Sequence, residues 1–133
     1  MQIADVEGIG AAHASRLAAA QIHTDDDLLK AGASRSGRAQ LAARTGIGEG
    51  RLRTWVNHID LAQLDGVGPD YAKLLQAAGV DCCAELARRD AGHLAATLTD
   101  LVATRASVKR APERAEIARW IDLAGERASA VEQ

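Results

Sequence analysis

The chain has no phenylalanine, one tyrosine and two tryptophans among its 133 residues, so aromatics make up 2% of it. A core without Phe cannot rest on stacked rings. Alanine, 29 residues by count, fills the gap, and small side chains let helix backbones approach closely. Runs alternating Val, Ile, Thr or aromatic residues with polar ones are also scarce, which excludes a β-sandwich or a doubly wound sheet. Proline occurs twice, at Pro69 and Pro112, both expected in the first turn of a helix, where a missing N–H costs nothing. Cysteine occurs twice, as the neighbours Cys82-Cys83, which cannot staple a fold, and no C-x-x-C or Cys/His metal spacing is present. No apolar run reaches the length of a membrane span. Met1-Gln2-Ile3-Ala4-Asp5 carries an acid where a secretory leader would carry basic residues, so the expected location is cytoplasmic. The charge is nearly balanced, with a formal net of -2 and a pI near 6.1, unlike a dedicated, strongly basic DNA-binding domain.

What is present is a repeat. Ile3 to Leu28 aligns without a gap on Leu61 to Leu86, at an offset of 58 residues. Val6 meets Leu64, Gly8-Ile9-Gly10 meets Gly66-Val67-Gly68, Ala14 meets Ala72, Leu17 meets Leu75, and Ile22 meets Val80. Agreement of this extent points to a duplicated supersecondary unit. A third glycine element, Thr45-Gly46-Ile47-Gly48, precedes a helix whose apolar face is Leu52, Trp55, Val56 and Ile59. Ile117, Trp120, Ile121 and Ala124 form the corresponding face later on, where Lys109-Arg110-Ala111-Pro112 stands in place of the glycines. The reading is all-α: two halves, 1–60 and 61–128, each with two helical hairpins, the fourth degenerate, forming one compact domain, followed by a frayed tail over 129–133. Thr24 and Ser34 are expected to cap helices, and Cys82 occupies a cap position with Glu85 three residues on.

A Gly-apolar-Gly turn between helices has a mechanical use. The glycines adopt backbone angles that a Cβ disfavours, and the apolar residue plugs into the space between the helices. Backbone N–H groups are then exposed at the positive end of the next helix, an anion site that needs no charged side chain. A nucleic-acid phosphate fits there without any base being read.

Val6-x-Gly8-Ile9-Gly10-x3-Ala14-x2-Leu17 and its copy Leu64-x-Gly66-Val67-Gly68-x3-Ala72-x2-Leu75 resemble the helix-hairpin-helix motif, a SAM-like arrangement. The resemblance implies duplex-backbone binding without sequence specificity. More closely, the chain is similar to an uncharacterised bacterial family, a domain of unknown function built from such hairpins. Gly32-Ala33 to Thr45-Gly46-Ile47, Trp55-Val56-Asn57-His58, Leu64-Asp65-Gly66-Val67-Gly68 through Ala78-Gly79-Val80-Asp81, and Glu85-Leu86-Ala87 carry that likeness.

Local charge decides between the turns. Acids stand beside the two best-matched ones, among them Glu7, Asp65 and Asp70, whereas residues 31–60 carry Arg35, Arg38, Arg44, Arg51 and Arg53 against Glu49 and Asp60. The expected nucleic-acid site is therefore Gly46-Ile47-Gly48 with Arg51 and Arg53, then Lys109 and Arg110. Gly8-Ile9-Gly10 and Gly66-Val67-Gly68 are secondary. A side chain at Gly48 is expected to strain the backbone. The four histidines show no ligand spacing, and Trp55 and Trp120 are expected as core anchors. With no Ser/His/Asp or Cys/His arrangement, the chain is expected to be a non-enzyme without cofactor, metal or small-molecule substrate. It would bind duplex nucleic acid, or alternatively serve as a protein-interaction module of the same fold.

Overall fold

Polar side chains at helix starts set where the chain turns. Thr24 Oγ1 accepts the Asp27 N–H at 3.1 Å and Asp27 returns the contact to the Thr24 N–H, a closed capping box that opens the helix Asp25–Gly32. Ser34 Oγ accepts from Gly37 N–H at 2.9 Å, and Asp90 Oδ2 from His93 N–H at 2.9 Å. Each such cap is worth about 1 kcal/mol. Backbone N–H groups, those of His23 and His93 foremost, hold the Asp27 and Asp90 carboxyls below their ordinary values. Cys82 takes the N-cap place of its helix without a side-chain hydrogen bond.

The computed structural model describes residues 1–105 and 108–133. The helices are α1 (Gly10–Ala19), α2 (Asp25–Gly32), α3 (Arg35–Thr45), α4 (Glu49–Ala62), α5 (Gly68–Ala77), α6 (Cys83–Ala87), α7 (Ala91–Val102) and α8 (Arg114–Glu126), with a 3-10 turn at Ile3–Asp5. Among the described residues there is no strand beyond a single bridge between Gln2 and Thr24. The all-helical expectation holds. Pro69 lies in the first turn of α5 as expected, but Pro112 is buried ahead of Glu113, the N-cap of α8, and so outside the helix.

The chain divides into two compact units. The first is Met1–Ile59 with Ala130–Gln133, the second Asp60–Ser129. In the first, Leu52, Trp55, Val56 and Ile59 of α4 are all buried, with Ile9, Leu17 and Leu28 in the same core. In the second, Ile117, Trp120 and Ala124 of α8 are buried with Val67, Leu75 and Leu86. The half-exposed Ile121 packs against that core.

The last residues are not frayed. Val131 is buried in the first core, and the Glu132 N–H donates to Ala33 O at 2.7 Å. The side-chain amides of Asn57 and Gln133 bond each other reciprocally, both at 2.9 Å. One apolar residue and a few long-range hydrogen bonds anchor the segment, although it has no apolar face.

Candidate functional site

Gly8 and Gly10 both lie in the left-handed region, at φ +87° and +73°. Between them Ile9 is buried, its N–H donating to Val6 O at 3.2 Å. Gly10 opens α1, whose first N–H groups have no acceptor within the helix. Beneath the turn lies Trp55: a Cβ on Gly8 would sit 3.8 Å from its indole Nε1. The His13 ring meets Trp55 edge-on, centroids 5.1 Å apart. His13 Nδ1 is 2.9 Å from Ile9 O. A carbonyl only accepts, so Nδ1 carries the proton and Nε2 of the neutral ring is left as acceptor. Arg51 Nη1, from α4, approaches that Nε2 at 3.5 Å. The first turn, which lacks a basic residue of its own, thus receives one from 38 residues along the chain.

The second turn uses the same backbone. Gly66 and Gly68 stand at φ +86° and +66°, Val67 is buried, and its N–H donates to Leu64 O at 3.0 Å. Gly68 opens α5. A Cβ on Gly66 would come within 3.3 Å of Trp120 Nε1. Tyr71 occupies the place of His13, tilted on Trp120 with centroids 5.3 Å apart, and its hydroxyl donates to Arg110 O at 2.8 Å. This bond helps bring Val108, Lys109 and Arg110 to the turn, forming a cleft of about 430 Å³. Arg110 is already held: Nη1 and Nη2 reach the two Glu116 oxygens at 2.7 and 3.2 Å. That two-pronged bond raises the Arg110 pKa and holds the Glu116 carboxyl down at about 2. Lys109 is exposed, and among the described residues no carboxylate pairs with it. Sequence reasoning missed the tether from Tyr71 and the clamp by Glu116. The only signal was Tyr71 standing where the repeat has His13.

The third turn has a different backbone. Gly46, at φ +73°, is the C-cap of α3, its N–H donating to Ala42 O at 2.9 Å. The Ile47 N–H donates to Thr45 Oγ1 at 3.2 Å, and Ile47 is buried. Two of the three N–H groups are therefore already engaged within the chain. Gly48 is not left-handed, its carbonyl accepts the Leu52 N–H at 3.1 Å, and a Cβ there would meet nothing within 4 Å. The strain expected at Gly48 belongs to Gly46. Arg53 does not join Arg51; it lines a cleft with Arg35, Arg38 and Glu49.

Trp55 and Trp120 are buried, as core anchors should be. Cys82 and Cys83 are free and buried; burial, then the Asp60 carboxylate beside it, pushes the Cys83 thiol up, the opposite of an activated nucleophile. Asp60 itself pairs with Arg127. Among the described residues no three His, Cys, Asp or Glu side chains gather as a metal site. Among the described residues no helix is long and apolar enough to cross a membrane.

No curated protein and no solved structure matches the chain. A family model does, over residues 7–127, and by that match the chain belongs to the family described as Domain of unknown function (DUF4332).

Proposed function

We propose that the chain is a tandem helix-hairpin-helix module, non-catalytic and cytoplasmic, that contacts the nucleic-acid backbone weakly and without sequence preference. The observation that carries this reading is the pair of turns at Gly8-Ile9-Gly10 and Gly66-Val67-Gly68. Each sets two left-handed glycines around a buried apolar residue at the start of a ten-residue helix. Such a turn offers N–H groups and the positive dipole end to a phosphate. A cation accompanies each: Arg51 at the first, Lys109 at the second. The main contacts therefore move from the Gly46 turn to these two, and Arg110 acts by positioning.

A second reading, a protein-interaction module of the same fold, is favoured by the acids at the second turn. Asp70 lies in the first turn of α5, and Asp65 pairs with Arg119 at 2.7 Å.

The experiment is binding to a labelled duplex across a range of salt. Log affinity should fall on log salt with a slope of about -0.9 per phosphate contact. A total of two to four contacts is expected, in keeping with the near-neutral chain. A duplex that is not bound even at low salt overturns the proposal and leaves the protein-partner reading.

A further inference from the structure

The arginines of the first unit have separate tasks. Arg44 Nη2 donates to Ala20 O at 3.2 Å and Arg51 approaches His13. Arg35, Arg38 and Arg53 instead line one cleft of about 250 Å³, with Glu49, Gly50 and Gln133.

Arg38 is the unusual member. It is only 3% exposed, and its guanidinium is fixed by backbone: Nη1 donates to Gly32 O at 2.8 Å and to Ala33 O at 3.3 Å, and Nη2 donates to Glu132 O. Carbonyls orient a buried cation without cancelling its charge. Burial first, then the positive charge of Arg53, holds the Arg38 pKa below its ordinary value. Among the described residues no carboxylate stands within ion-pair distance of Arg35, Arg38 or Arg53. Two carboxylates lie nearby: Glu49 lines the cleft, and Glu132 Oε1 accepts the Arg35 N–H at 2.8 Å. Three guanidinium groups face these two acids. Arg35 and Glu49 are also the first residues of α3 and α4, so two helix N-termini add positive potential.

We infer that this cleft binds a phosphate monoester group. The exposed guanidinium groups of Arg35 and Arg53 can offer paired N–H donors to phosphate oxygens, while Arg38, its own donors engaged by Gly32, Ala33 and Glu132, adds a fixed positive charge to the cleft. The cleft, about 250 Å³, has room for a phosphate group, and the double charge of a monoester answers the guanidinium groups gathered there. The inference uses neither paired-glycine turn and is independent of duplex binding.

The test titrates the full chain with inorganic phosphate at constant ionic strength, with chloride as the exchanged anion. Amide shifts at Gly50 and Arg53 and the unfolding temperature are read. Saturable binding is expected. Arg35→Ala and Arg53→Ala should each weaken it by about tenfold, the worth of one charge-assisted hydrogen bond. Glu49→Gln should tighten it, and Arg88→Ala, in the second unit, should leave it unchanged. Arg38→Ala removes a buried group that ties α2 to the terminal segment, so the exposed Arg35 and Arg53 carry the test. Competition by a 5′-phosphorylated oligonucleotide, but not by its unphosphorylated form, would mark nucleic-acid ends as the phosphate source. Competition by neither would mark a free phosphate ester. No saturable response to phosphate, or an unchanged one in both Arg35→Ala and Arg53→Ala, overturns the inference. A duplex that binds while phosphate does not would remove the cleft and leave the glycine turns standing.

Discussion

The turn at Gly8-Ile9-Gly10 and the turn at Gly66-Val67-Gly68 share everything below the backbone and little above it. Both bury the middle residue and both rest on a tryptophan whose indole nitrogen lies under the first glycine. On the outer side, the first has His13, whose free ring nitrogen meets Arg51 only at 3.5 Å. The second has Tyr71, tied to the Arg110 carbonyl, and Arg110 is in turn locked onto Glu116. Sequence numbering sharpens the contrast: four residues before the tryptophan, α4 carries Arg51 and α8 carries Glu116. The cation at the first turn is loosely held. At the second it is neutralised, and Lys109 is the charge left over. A left-handed backbone over a buried ring tolerates few substitutions, whereas the polar groups above it are free to diverge. The apolar pattern therefore says where an anion would be met, and the polar layer says how strongly.

The largest effects should come from the shared layer. Trp120→Ala and Trp55→Ala remove side chains 2% and 4% exposed. Each should cost about 3–5 kcal/mol, read by urea unfolding. The comparison predicts similar losses. A loss below about 1 kcal/mol at either site would show that its turn does not rest on the ring.

Next come the glycines. Gly8→Ala and Gly66→Ala place a Cβ in the left-handed region, at about 1–2 kcal/mol each. Gly66→Ala should be the worse, because its Cβ meets Trp120 Nε1 at 3.3 Å against 3.8 Å for Trp55 at Gly8. Gly48→Ala, with open space and no left-handed φ, should stay within about 0.5 kcal/mol. A Gly48 variant as damaging as Gly66→Ala would put the third turn back in the class of the first two.

Much of this architecture was legible in the chain. The spacing of Leu52, Trp55, Val56 and Ile59 gave the inward face of α4, and Thr24 and Ser34 marked helix starts by the oxygen they offer. Three things were not. Gly46-Ile47-Gly48 has the same letters as Gly8-Ile9-Gly10, yet α3 ends directly on it, so its first glycine terminates a helix instead of shaping the start of the next. Arg51 looked like a partner of the turn just before it, but its guanidinium approaches His13, whose ring packs on Trp55. Val131 is a single apolar residue with no periodicity, and only the folded first unit supplies the pocket and the partners Ala33, Arg38 and Asn57 that hold its segment.

A smaller effect separates the two polar layers by pH. The Glu116 carboxyl is held at about 2, first by Arg110 and then by the Glu113 N–H. A depressed carboxyl contributes stability above its unfolded value near ~4.3. That contribution is lost as pH falls toward 2. The side chains of Arg110 and Glu116 are 59% and 34% exposed, so solvent screens the pair and the step is small. Glu116→Gln should remove this step from the difference between stabilities measured at pH 5 and pH 2.5. A Gln variant with an unaltered acid limb would mean that the clamp does not persist in solution.

The smallest effect on folding, and the most informative on binding, comes from three exposed cations. Arg51→Ala, Lys109→Ala and Arg110→Ala each remove a surface charge, and Arg51→Ala and Lys109→Ala should change stability by less than about 0.5 kcal/mol. If the turns meet phosphates as proposed, Arg51→Ala and Lys109→Ala should each take about one contact out of the salt slope, close to 0.9. Arg110→Ala should take out much less, because Glu116 already occupies both prongs of its guanidinium, and its carbonyl, which holds Tyr71, survives the substitution. Measuring all three against the same duplex orders the cations by freedom rather than by count. Equal losses at Lys109 and Arg110 would mean that the duplex responds to summed charge alone, and the difference between the two turns would then have no bearing on binding.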